Sequence, residues 1–135
     1  MERSIKCRKI SPGVAEGEVL VSSEPISFYG GVDPNTGIVV EKGHPLEGKS
    51  VAGKVLVFPH GKGSTVGSYT IYRLKKNGVA PVAIINREAE TVVAVGAIIS
   101  RIPMVDKLED DAYSAIKDGM HIEVDATNSI VKFYL

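Results

Sequence analysis

Between Ser22 and Ser50 the chain cannot form a helix or strand of ordinary length. Three prolines (Pro25, Pro34, Pro45) and five glycines (Gly30, Gly31, Gly37, Gly43, Gly48) punctuate the segment, and one short apolar run, Ile38-Val39-Val40, interrupts them. Proline removes a backbone donor and glycine weakens both regular structures, so neither the helical nor the strand period survives here. Structureless stretches of about thirty residues are uncommon inside a compact domain and are as a rule functional or disordered. Ile26, Phe28, Tyr29 and Val32 supply apolar anchors, and the composition is not of low complexity. We therefore read the segment as a functional loop.

The rest of the chain is regular. Ser4 to Lys9 and Glu18 to Ser22 read as strands joined by the turn Ser11-Pro12-Gly13. Lys54 to Phe58 is a short apolar run rich in β-branched residues, which predicts a buried strand. A helix follows, with Ser64 as its N-cap, Arg73, Lys75 and Lys76 near its C-terminal end and Gly78 as its stop. Then come a strand from Ala80 to Ile85, a short helix from Ala89 to Val95, an apolar run to Val105, a weakly periodic helix from Asp106 to Lys117, and a hairpin of His121 to Val124 with Ile130 to Tyr134. Strand–helix–strand crossovers build a parallel sheet. The expected fold is α/β: a partly parallel sheet with helices on one side and additional antiparallel strands closing the other, in a single domain over residues 1–135.

The segment Gly61-Lys62-Gly63-Ser64-Thr65 lies between the buried strand and the helix start. Glycines let a ligand approach the backbone closely. The first helical turn leaves N–H groups unpaired and carries partial positive charge, which favours an anion. Lys62 adds a full charge beside it, and the same field would stabilise an ionised Ser64. Two readings stay open on the residues alone: Ser64 as a cap, or Ser64 as a reactive group. The GxxxxGK[ST] spacing of a P-loop is absent. Two further segments can converge on this turn. One runs from Pro25 to Pro34 and offers Ser27, Asp33 and the exposed backbone of Gly30 and Gly31; the other is Gly43-His44-Pro45-Leu46. Singly, Asp33-Pro34-Asn35 reads as a surface turn and His44 as an ordinary loop histidine. Glu88 and Glu90 read as partners of a helix dipole.

Composition excludes several classes. Sixteen basic and sixteen acidic residues give zero formal charge, so neither nucleic acid nor an anionic membrane is an expected partner. The one cysteine, Cys7, cannot by itself hold a zinc or iron–sulfur site. No apolar run approaches the roughly 20 residues of a membrane span. Met1 to Ile10 shows no apolar signal core, so a cytoplasmic protein is expected.

Taken together, the Pro25–Pro34 block, His44-Pro45-Leu46, Gly61 to Tyr69 and Ala80 to Ile85 resemble the small subunit of aconitase X proteins, over about Gly13 to Val105. The nearest likeness is to the archaeal branch that dehydrates phosphomevalonate. The resemblance implies a swivelling β/β/α domain, inert alone, that works with a large subunit carrying an iron–sulfur cluster. No cofactor is expected on this chain alone. It implies conversion of (R)-5-phosphomevalonate to trans-anhydromevalonate 5-phosphate in an archaeal mevalonate pathway, a step of isoprenoid biosynthesis, with Ser64 as proton acceptor. Lys62, Gly63, Thr65, Ser27, Gly30, Gly31, Asp33 and His44 are the expected contacts to a small phosphorylated hydroxy acid. A related group acting on cis-3-hydroxyproline is the alternative within the family. From another class, Ser11 to Gly17 resembles the entry to phosphohistidine swivelling domains, but Gly63 to Ser68 holds no histidine. A stand-alone anion-binding module is the remaining alternative.

Overall fold

The computed structural model describes residues 2–134. Met1 and Leu135, the ends of the expected domain, lie outside the described residues. The chain forms β1 (Glu2–Lys6), β2 (Arg8–Ser11), β3 (Val14–Val21), a tight turn α1 (Phe28–Gly31) in which Tyr29 and Gly30 leave the helical conformation, β4 (Val55–Phe58), α2 (Gly67–Lys76), β5 (Ala83–Asn86), α3 (Thr91–Ile99), β6 (Met104–Asp106), a 3-10 segment (Glu109–Ala115), β7 (His121–Asp125) and β8 (Ile130–Tyr134). The strands form one eight-stranded sheet in the order β1-β8-β7-β3-β4-β5-β6-β2. The neighbours from β3 through β6 are parallel and the remaining pairs antiparallel.

β1 and β2 stand at opposite ends of this order, yet only Cys7 separates them in the chain. Adjacent Cα atoms are about 3.8 Å apart, so the two edges must meet. The sheet therefore curls on itself and leaves little open edge. Two cores follow from the alternation of side chains along the strands. Val55, Val57, Ala83 and Ile85 face one cluster with Ile5, Ile122, Val124, Val131 and Phe133. Leu56, Phe58 and Ile84 face the other, with Ile71 and Leu74 of α2 and Val93 and Ala97 of α3. Both long helices thus cover one side, as a partly parallel α/β sheet with antiparallel closure requires.

The segment expected to be a long loop is packed into the helix-side core by Ile26, Phe28, Val32, Val39 and Leu46. Short bridges, Val32 with Val39 and Ile38 with Ser50, replace regular elements.

Several boundaries differ from the sequence reading. Ser4 to Lys9 is two strands because the chain changes sheet edge at Cys7. α2 starts at Gly67, not after a Ser64 cap; Val66 stands at the N-cap and makes no side-chain cap. α3 runs through Gly96 to Ile99; the glycine does not end the helix but lets α2 approach, since a Cβ at 96 would strike Ile71. Asp106 belongs to β6, and the expected helix over Asp106 to Lys117 shrinks to a 3-10 segment. Asp110 and Asp111 adopt positive φ values of 58° and 48°, which break helical hydrogen bonding.

Candidate functional site

β4 is wholly buried and delivers the chain at Pro59 to the end of the sheet where the parallel strands terminate. Ligands of parallel α/β sheets bind at this end, outside the carboxyl ends of the strands. Here the glycine turn is stitched to the long loop by a parallel bridge between Ile26 and Gly61. Ile26 N–H donates to the His60 carbonyl at 3.3 Å, and Lys62 N–H donates to the Ile26 carbonyl at 3.0 Å. Two glycines make the close packing possible. A Cβ on Gly61 would strike Glu90 and Val93, and one on Gly63 would strike the Ser27 hydroxyl. Gly63 also has φ of 93°, a conformation that side chains disfavour. Glu90 is meanwhile spent capping α3, accepting from Val92 N–H at 3.0 Å and Val93 N–H at 2.6 Å.

The stitching produces an open hollow of about 430 Å³ lined by Ser27, Tyr29, Gly30, Gly31, Glu41, Lys62 and Gly63. The Lys62 ammonium donates to Glu41 Oε2 at 3.1 Å. Ser27 Oγ donates to the Tyr29 carbonyl at 3.1 Å. Ser64 and Thr65 follow Gly63 in the chain, and both are exposed. Ser64 Oγ accepts from Val66 N–H at 3.1 Å. The N–H groups of Gly63, Ser64 and Thr65 have no acceptor among the described residues. The field at Ser64 therefore comes less from α2 than the sequence suggests. Helix donors Gly67 N–H and Ser68 N–H are taken by the Ser64 and Thr65 carbonyls, and local turn amides take their place. This arrangement can hold an anion and can stabilise charge on a hydroxyl oxygen.

The structure thus brings Ser27, Gly30, Gly31, Lys62 and Gly63 together, with Ser64 and Thr65 on the adjoining turn. Asp33 and His44 do not join them. Asp33 accepts from Asn35 N–H at 2.8 Å in a local turn and lines an adjacent hollow with Arg73. His44 is buried at 6% exposure, with Nε2 3.0 Å from the Pro25 carbonyl and Nδ1 accepting from Leu46 N–H. Its ring anchors the loop. Sequence reasoning missed Glu41, which follows an apolar run and carries no motif. It also took Tyr29 for an apolar anchor, whereas Tyr29 is 57% exposed and borders both hollows.

Among the described residues no three His, Cys, Asp or Glu side chains converge as metal donors. Cys7 stands alone, its thiol pushed up to about 11, chiefly by burial and then by the charges of Asp106 and Asp125. These residues do not fit an iron–sulfur cluster. No helix among the described residues is long and apolar enough to cross a membrane.

Comparison with known proteins places this geometry. The family model of the aconitase X swivel domain matches residues 4–133. The phosphomevalonate dehydratase small subunit of Methanosarcina acetivorans is 63% identical over 95% of this chain and 89% of its own length. The protein of the same name from Thermococcus kodakarensis is 60% identical over 95% of this chain and 94% of its own. A chain in the crystal structure of Thermococcus kodakaraensis aconitase X in its holo-form superposes with a TM-score of 0.93 at 59% identity, covering 98% of this chain and 99% of that one. A fold with this strand order, a glycine turn at the end of its parallel strands and a family match over nearly its whole length leaves one assignment: the chain belongs to the aconitase X swivel-domain family.

Proposed function

We propose that this chain is the small subunit of a two-chain hydro-lyase that dehydrates (R)-5-phosphomevalonate to trans-anhydromevalonate 5-phosphate, with Ser64 as the base. The substrate assignment follows the near full-length identity to phosphomevalonate dehydratase small subunits. The chemical assignment is carried by one observation: Ser64 Oγ is exposed on the glycine turn with a backbone N–H already directed at it.

Dehydration removes a proton from carbon and a hydroxyl from its neighbour. A neutral serine is a poor base, so the ionised oxygen must be favoured before or during transfer. The Val66 N–H donates to that oxygen, and hydrogen bonding to a charged form stabilises it. The Lys62 ammonium, two residues away, adds a favourable field. Ser64 Oγ then takes the carbon-bound proton. Lys62 and the unpaired amides of Gly63 to Thr65 meet a carboxylate or phosphate oxygen of the substrate, and Ser27 and the Gly30-Gly31 backbone form the opposite wall. Lys62 and Ser64 are both exposed in this chain, so a large subunit must cover them to exclude water, which strengthens each of these interactions. Any iron–sulfur cluster belongs to that partner, and departure of the hydroxyl is assigned to groups outside this chain.

The test is reconstitution with the large subunit. The pair should turn over (R)-5-phosphomevalonate and each chain alone should not. Ser64→Ala should abolish turnover while leaving complex formation intact. Wild-type rates in that variant would remove Ser64 from the mechanism, and turnover of cis-3-hydroxyproline alone would overturn the substrate.

A further inference from the structure

We propose that Glu41 is a positioning residue that holds the Lys62 ammonium at the mouth of the hollow. This rests on the reading of Lys62 as the cation that meets the substrate's charge. A carboxylate beside an anion site is at first sight misplaced, since it repels the ligand and offsets part of the lysine's charge. Its setting argues that orientation outweighs that loss. Glu41 is built on a fixed support: Val40 N–H and Glu41 N–H both donate to the Gly31 carbonyl, at 2.8 and 3.3 Å. The carboxylate lies directly over this backbone, its Oε1 3.4 Å from where a Cβ on Gly31 would stand, an ordinary contact distance. Lys62 is fixed only at its backbone, through the Ile26 carbonyl, and its side chain is 45% exposed against 31% for Glu41.

A lysine stem has four rotatable bonds and loses much freedom when its head is held. The contact to Glu41 Oε2 spends one ammonium donor and removes that freedom before substrate arrives. Two donors remain for the ligand. Binding then meets a preorganised cation rather than a mobile one. The two halves of the pair come from the two loops joined by the Ile26–Gly61 bridge, so the ion pair also fixes the width of the hollow.

The opposing effects of Glu41 have opposite signs, and this makes the proposal decidable. If its charge mainly repels substrate, Glu41→Ala lowers KM. If it positions Lys62, the same change raises KM. In the reconstituted two-chain enzyme we expect Glu41→Ala to raise KM for (R)-5-phosphomevalonate about three- to five-fold with little change in kcat. Glu41→Gln, which keeps an acceptor, should fall between. In a Lys62→Ala background Glu41→Ala should raise KM no further, because the positioning effect runs through Lys62 and only the direct repulsion of the ligand, which acts in the opposite sense, is left to remove. As an activity-independent measure, ¹³C relaxation of the Lys62 ε-carbon in the complex should report greater mobility in Glu41→Ala. A lowered KM, additive losses in the double variant, or unchanged Lys62 mobility would each overturn the proposal. If Lys62→Ala raises KM and Glu41→Ala does not, only this inference falls. If Lys62→Ala leaves KM unchanged in an active complex, the assignment of Lys62 to the substrate falls with it.

Discussion

The two halves of β3 stand in different surroundings. Val14 to Glu18 pair antiparallel with β7, and no residue of that stretch is fully buried. Val19 to Val21 pair in parallel with β4, and Val19 and Leu20 are buried. The contrast extends across the sheet. β4, β5 and β6 are buried at every position, because the closed sheet lies on one face and the helices and the long loop on the other. The antiparallel strands β7, β8 and β1 close the barrel and turn part of their surface to water. Parallel strands end on the same side, so their loops can converge, whereas hairpin strands end alternately on opposite sides. The glycine turn that carries the proposed base follows the end of β4, on the parallel side of this divide.

Two substitutions should separate these tasks. Ser64→Ala in the exposed turn should lower kcat by at least about 10³-fold, the scale seen when a reacting group or its charge-stabilising donor is lost. Its stability cost should stay near 1 kcal/mol, since the variant loses only the hydrogen bond to Val66 N–H. Single-turnover assays and thermal melts on the same preparations check both. Asp106→Ala should do the reverse. Asp106 is fully buried, accepts from Arg8 Nε at 2.8 Å and Nη2 at 2.7 Å, and from Ala89 N–H at 2.7 Å. It ties the edge strand β2 to β6 and to the loop that carries Glu90, which packs against Gly61. Its removal orphans a backbone donor and should cost about 2–3 kcal/mol. The melting temperature should fall by roughly 8–12 °C. Equal stability losses in the two variants would erase the division between closing half and working end.

Gly63→Ala sharpens the comparison at the site itself. The new methyl would strike the Ser27 hydroxyl and occupy a φ of 93°. The expected cost is about 1–2 kcal/mol. The strain falls on the seam between the two loops, so kcat/KM should drop about ten-fold while the barrel core is undisturbed. Hydrogen exchange should speed up at Lys62 and Ile26 and stay unchanged in β7 and β8. Uniform acceleration across the sheet would show that the seam is not a separate unit.

Much of this fold is legible in the sequence because its signals are local. The buried strand at Val55, the glycine turn and the terminal hairpin each carry their own apolar runs and turn residues. The parallel crossovers follow from the alternation of strands and helices. What escapes is set by contacts distant in the chain. Nothing near Cys7 announces that the chain leaves one edge of the sheet for the other. Asp106 looks like a helix start until Arg8, 98 residues away, is placed against it. Glu41 has no motif; its meaning comes from Lys62 and the Gly31 carbonyl. On the residues alone Ser64 fits a cap as well as a reactive group, because serine before an apolar period is usually a cap. The turn instead continues for three residues, with the Ser64 and Thr65 carbonyls taking the donors a cap would have satisfied.

The smallest expected effect tests the joint between the two halves. Cys7 lies where β1 passes to β2, and its N–H donates to the Ser129 carbonyl at 3.1 Å. Burial, followed by the charges of Asp106 and Asp125, raises its thiol from about 9 to about 11. A group held protonated in the folded state contributes stability that is complete below its unfolded pKa and disappears as pH rises through its folded one. The window therefore runs from about pH 9 to about pH 11. The thiol is half-buried, so water screens part of the effect, and the loss should be on the order of 1 kcal/mol. Thermal melts at pH 8 and pH 10.5 should show a steeper decline for the wild type than for Cys7→Ala, by a few degrees. Identical slopes would mean that water already reaches the joint, and that the antiparallel half is held to the parallel half by Arg8 and Asp106 without help from a dry seam.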